Sequence, residues 1–150
     1  MKKFLIYLFP LLLYADPLLL MEFGSSTKSS SKNFYALSYG IKTPLINLPT
    51  YTKLYVGGWK EPESSCFTGV SEGIFFGKNL FFLAEIGIVF LSETTRNLST
   101  TFEFSEKAGI GYRFDSYMVS INFRHFSNGG IKEPNRGEGF ITMDFYISGF

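Results

Sequence analysis

The sequence predicts an all-β fold, an eight-stranded antiparallel up-and-down transmembrane β-barrel. Three observations carry this expectation. Apolar and polar residues alternate along most of the chain, with no helical stripe of useful length. Polar connections alternate between long and short, the rhythm of a barrel with long outer loops and short periplasmic turns. Aromatic residues make up 19% of the 150 positions, and such side chains suit a pleated surface.

The chain opens with Lys2 and Lys3, an apolar run from Phe4 to Leu13, and "LYAD". This is the layout of an export signal, with Ala15 as the last residue before cleavage. Pro10 and the shortness of the run disfavour a membrane anchor, which needs about 20 apolar residues. The expected organisation is a signal peptide over 1–15 and one outer-membrane barrel domain over 16–150.

The first strand is expected at 17–26, ahead of the polar stretch "TKSSSKN". In the second, 33–43, Tyr35, Leu37, Tyr39 and Ile41 alternate with Ala36, Ser38, Gly40 and Lys42. The third, 50–61, runs into "EPESSC"; the fourth, 67–77, alternates least and ends at "GKN". The fifth, 79–92, is followed by "ETTRNLST". In the sixth, 100–114, the even positions Phe102, Phe104, Ala108, Ile110, Tyr112 and Phe114 are mostly apolar. The seventh, 117–127, sets Tyr117, Val119, Ile121 and Phe123 against Ser120, Asn122 and Arg124. The eighth, 140–150, presents Ile141, Met143, Phe145 and Ile147 to one side. Phe150 falls on the opposite parity, which a bulge near Gly149 would repair.

An even number of strands places both termini on the periplasmic side. The interior of an eight-stranded barrel is only wide enough for side chains. Glu103, Lys107, Arg113, Asn122, Arg124 and Asp144 are expected to pair there, while the large rings face lipid. A soluble barrel would reverse the two faces, against the aromatic weight of the chain.

Composition excludes several functions. The net charge of +1, with no Lys/Arg block, offers nucleic acid no long-range attraction. The lone cysteine, Cys66, cannot form an intrachain disulfide and reads as an inert loop residue. One histidine and one cysteine cannot build a usual transition-metal site, and no metal or other cofactor is expected.

The stretch "FRHFSNGGIKEPNRGEGF", Phe123 to Phe140, carries chemistry. His125 and Ser127 leave the strand on the face of Tyr117, Val119, Ile121 and Phe123. That face meets lipid near the outer end of the strand, where unpartnered polar groups are costly. Same-face neighbours lie roughly 6.6 Å apart at Cα, within reach of an imidazole–hydroxyl hydrogen bond. Serine needs a base to become a nucleophile, and histidine is that base near neutral pH. A carboxylate must orient the imidazole; Glu138 and Glu133 are the acids of the following loop. Asn128, Asn135 and the Gly129–Gly130 amides are candidate oxyanion donors.

Within this stretch, "HFSNGGIKEPNRGE" resembles the His-x-Ser-Asn motif, followed by Pro-Asn and a glutamate, of the outer-membrane lipid A 3-O-deacylases (the PagL family). The resemblance is specific over 124–140 and extends more loosely to the chain after its leader. It implies an eight-stranded barrel with its active site on the lipid-facing exterior, a Ser–His–Glu triad and no metal. The implied reaction hydrolyses the ester at position 3 of lipid A and releases a 3-hydroxy fatty acid. Carried over, Ser127 is the nucleophile, His125 the general base, Glu138 the acid, with Glu133 as the fallback. Asn128 and Asn135 match the family's active-site asparagines, Asn135 as an oxyanion contact. The family's glutamate lies fourteen residues after the histidine; that position here is Gly139, and Glu138 stands one earlier.

Lys132 and Arg136 are candidates for lipid A phosphates, although Lys132 reads equally well as a solvated loop charge. Arg124 faces inward by parity and is expected in an internal ion pair. The expected partners are lipid A (lipopolysaccharide) and outer-membrane lipid, with a homodimer left open. Two other readings compete: an outer-membrane phospholipid esterase, and a non-catalytic structural or adhesive barrel.

Overall fold

The computed structural model describes residues 17–28, 32–43, 48–60 and 64–148. The export signal expected over 1–15, and the bulge expected near Gly149, lie outside the described residues. Eight strands follow one another in sequence: β1 (Pro17–Ser26), β2 (Asn33–Lys42), β3 (Thr50–Lys60), β4 (Ser65–Gly77), β5 (Leu80–Leu91), β6 (Phe102–Arg113), β7 (Tyr117–Ser127) and β8 (Glu138–Ser148). Each pairs antiparallel with its neighbour, and β1 pairs with β8 to close the barrel. The strands run 10 to 13 residues, the length a tilted strand needs to cross a bilayer.

The period-2 alternation sorts the side chains. Phe23, Leu54, Phe82, Ile86, Ile121 and Met143 are exposed on the outer wall, at 58–71% of their full area. A continuous apolar belt of this kind on a closed barrel faces lipid. No helix among the described residues is long and apolar enough to cross a membrane; the strands do so.

The interior has three layers. At its middle, Lys53, Lys107 and Arg124 meet Glu22, Glu85 and Asp144, all buried. The Arg124 guanidinium reaches Glu22 at 2.9 Å and Glu85 at 3.0 Å, Lys53 reaches Glu22 at 2.8 Å, and Lys107 reaches Asp144 at 2.7 Å. Matched charges keep a buried cluster of this kind tolerable, and Arg124 takes the internal place its parity predicts. Toward the long loops, Phe34, Trp59, Phe67, Phe126 and Phe140 form an apolar cap with Leu98. Toward the short turns, Leu18, Leu20, Tyr51, Phe75, Phe81 and Tyr146 form another.

These caps correct the expectation that the large rings face lipid. Many do, but both barrel ends are also plugged by rings. β4 shows why its alternation was faint. Its inward positions carry Phe67 and Phe75 but also Gly69 and Gly73. A β-carbon at Gly73 would stand 2.4 Å from the Tyr51 ring, and one at Gly69 2.7 Å from the Tyr55 ring. The glycines make room for tyrosines from β3, so two of the six inward positions of β4 from Ser65 to Phe75 show no side chain. Cys66 is also corrected: it lies exposed within β4, and its amide donates to Ser92 Oγ.

Candidate active site

β7 is anchored on alternate residues. Arg124 is locked in the charged layer, and Phe126 is buried in the outer aromatic cap. Between and beyond them, His125 and Ser127 point to the lipid-facing side, each half-buried. Ser127 ends the strand at the long-loop end of the barrel. Anchored flanks of this kind hold reactive side chains on a rigid strand. No hydrogen bond joins Ser127 to His125 among the described residues; such contacts are commonly loose before substrate binds.

The register sets what surrounds the imidazole. On the β6 side, His125 stands opposite Glu106, and Ser127 opposite Phe104. Glu106 Oε2 lies 3.6 Å from His125 Nδ1. On the β8 side, His125 stands opposite Gly139, and Phe126 opposite Glu138. The Nε2 edge of the ring rests against Gly137, where a β-carbon would stand 2.3 Å away.

Glu138, expected as the triad acid, is not brought to His125. Sharing the register position of Phe126, it points into the barrel and is fully buried. Its Oε1 accepts hydrogen bonds from Lys32 Nζ at 2.8 Å and Asn97 Nδ2 at 2.7 Å. The one-residue offset from the family spacing therefore decides the face, because side chains alternate along a strand. Glu133, the fallback, accepts the Asn135 amide at 2.9 Å within its own loop.

The loop between β7 and β8 is pinned. Asn128 is buried; its Nδ2 donates to the Lys132 carbonyl at 2.7 Å and its Oδ1 accepts the Gly130 amide at 2.9 Å. Asn135 Oδ1 accepts the Asn128 amide at 3.1 Å. A bridge pairs Leu98 with Asn135, and the Arg136 amide donates to the Asn97 carbonyl at 3.0 Å. Asn128 thus serves the loop with its whole amide. The Asn135 Nδ2 and the Gly129 N–H make no hydrogen bond among the described residues, leaving two donors free near Ser127. Lys28 Nζ caps the carbonyls of Arg136 at 2.7 Å and Gly137 at 2.6 Å, while Lys132 and Arg136 stay exposed.

Below His125, toward the membrane middle, the outer wall is dented. Ala84 pairs with Ala108, and Ala108 with Phe123. Together with Ile86, they line a groove of about 280 Å³ whose upper rim is Glu106 and His125. Two alanines in a row of otherwise large residues leave this depression. Glu106 was missed in the sequence, although a signal existed. It is the one charged residue among the even, lipid-facing positions 102–114 of the sixth strand.

Comparisons with known proteins agree with this architecture. The chain is similar to the crystal structure of the outer membrane enzyme PagL, with a TM-score of 0.73, 22% identity, and coverage of 87% of this chain and 98% of that one. The N-terminal β-barrel domain of Pseudomonas aeruginosa OprF superposes with a TM-score of 0.69 at 13% identity, covering 90% of this chain and 98% of that one. In sequence, the lipid A deacylase PagL of Bordetella bronchiseptica is 30% identical over 73 residues, which are 46% of this chain and 41% of that protein. The matched stretch thus spans less than half of this curated relative. The family model described as Lipid A 3-O-deacylase (PagL) matches residues 33–148. That match runs through every strand from β2 to β8 and takes in His125 and Ser127: this outer-membrane barrel belongs to the lipid A 3-O-deacylase (PagL) family.

Proposed function

We propose that the protein is a serine esterase that removes the ester-linked 3-hydroxyacyl chain at position 3 of lipid A in the outer leaflet. The observation that carries the proposal is the placement of His125 and Ser127 on the lipid-facing wall at the long-loop end of β7. Family membership supports the substrate. Residues 1–15 serve as the export signal in this reading, and 16–150 as the working domain.

Ser127 Oγ attacks the ester carbonyl as His125 Nε2 takes its proton. The tetrahedral oxyanion is met by Asn135 Nδ2 and the Gly129 amide, since donors that meet developing charge stabilise the transition state. The C–O bond to the sugar breaks, and His125 returns its proton to the leaving 3-hydroxyl. Water then attacks the acyl-enzyme with His125 again as base, freeing the 3-hydroxy fatty acid and Ser127. The acyl chain lies in the groove over Ala84 and Ala108, which begins at His125 and runs toward the hydrocarbon. Lys132 and Arg136 stand at headgroup level, where they suit phosphate. Every residue in this scheme comes from one chain, and a homodimer is not required by it.

The test is a purified, folded barrel in detergent micelles with lipid A and, separately, with phospholipid. Release of a 3-hydroxy fatty acid from lipid A, and covalent capture of Ser127 by a fluorophosphonate, are expected. Fatty acid release from phospholipid alone would move the chain to the phospholipid esterases.

A further inference from the structure

We infer that Glu106, on β6, is the carboxylate that positions His125, taking the place that the family's glutamate holds beyond the β7–β8 loop. This rests on the esterase reading above.

Four observations converge. Glu106 stands directly opposite His125 in the β6–β7 register, and its Oε2 is 3.6 Å from Nδ1. Nδ1 is the nitrogen that must carry the proton if Nε2 is to take one from serine. The other acids are committed elsewhere: Glu138 inside the barrel to Lys32 and Asn97, and Glu133 to the Asn135 amide. On the β8 side its register partner is Gly139, and Gly137 lies against Nε2. Finally, Glu106 lies between Phe104 and Ala108 on its own strand and opposite Ile86 on β5. A carboxylate in such a belt is costly, and a charge retained at membrane depth marks function. Among the described residues, the one basic side chain within 4 Å of its carboxylate is His125.

The inference explains how the chain does without an acid at position 139. A histidine in a β-strand has a cross-strand neighbour on each side, and either can supply the carboxylate. Glu106 acts through His125 and touches no substrate atom; it is a positioning residue. It accepts a hydrogen bond from Nδ1–H, fixes the tautomer and stabilises the imidazolium formed when Ser127 attacks.

The test compares initial rates of lipid A deacylation by the wild type, Glu106→Gln, Glu106→Asp, Glu138→Gln and Ser127→Ala in micelles. Barrel folding is checked by heat-dependent gel migration. Glu106→Gln is expected to lower kcat by at least about 100-fold with KM nearly unchanged, as a lost tautomer-fixing acid does. Glu106→Asp should recover most of that loss, and Glu138→Gln should keep kcat within about tenfold. Full activity in folded Glu106→Gln, or a larger loss in Glu138→Gln, overturns the inference while the esterase reading stands. Should Glu106→Gln not fold, an inactive but folded Glu106→Asp overturns it equally. An active Ser127→Ala would instead remove the esterase reading itself.

Discussion

Gly137 supports the imidazole of His125 from the β8 side: a β-carbon at 137 would stand 2.3 Å from Nε2, and the residue sits at φ 64°. Both facts demand glycine, the first through space and the second through backbone conformation. Gly137→Ala should displace the ring from Ser127 and cost at least about 100-fold in kcat, since small misplacements are expensive in catalysis. Gly130 is the control, with φ 82° and nothing within 4 Å of a β-carbon. Gly130→Ala carries the same backbone strain, about 1–2 kcal/mol, and should keep most of the activity. Deacylation rates of the two variants, side by side, separate the clash from the strain.

Asn135 and Asn128 should behave differently despite their shared residue type. Asn135→Ala removes a free Nδ2 donor and is expected to lower kcat by about 10²–10³-fold, the range for one oxyanion donor. Asn128→Ala removes the amide that ties Gly130 and Lys132 together. Its expected signature is a loosened loop, read as faster protease cleavage between β7 and β8, with activity falling as a consequence.

The alanine-floored groove should measure the acyl chain. Ala108→Leu fills the space beneath Glu106 and His125. Longer acyl chains should then be cleaved with reduced kcat/KM, while short esters are cleaved as before. Competition between lipid A species of different chain length, followed by mass spectrometry, reads the shift directly.

The charged interior should govern stability. Arg124→Met leaves Glu22 and Glu85 short of a buried cation, and breaking such a cluster costs about 3–5 kcal/mol. Urea unfolding followed through Trp59, the chain's one tryptophan and part of the outer cap, reports the loss. Adding Glu22→Gln should restore part of it, because a neutral amide no longer needs the guanidinium.

The strands were legible because a lipid-facing wall imposes a period of two, and Tyr117, Val119, Ile121 and Phe123 keep it, with Met118 the one apolar residue between them, turned into the inner cap. β4 was faint because Gly69 and Gly73 yield their space to tyrosines of another strand, a relation no single strand reveals. The inward rings of Trp59, Phe67 and Phe75 were hidden for a similar reason. An aromatic at a lipid-facing position and one plugging a barrel end look alike in the sequence. His125 and Ser127 stood out because the chain's one histidine falls on the lipid-facing parity within a His-x-Ser-Asn motif. The acid did not, because its face depends on how many residues the loop from Asn128 to Gly137 absorbs, and that count fixes Phe126, rather than His125, opposite Glu138. Glu106 lies 19 positions before His125 and meets it only through the β6–β7 register.

The central claim is that a lipid-facing Ser127–His125 pair deacylates lipid A. It is tested most directly by mass spectrometry of lipid A from Gram-negative cells expressing the wild type or Ser127→Ala. Loss of one 3-hydroxyacyl group from position 3 in the wild type alone is the expected result. Identical lipid A in both strains and in the empty-vector control, with folded barrel present in the outer membrane, would contradict it.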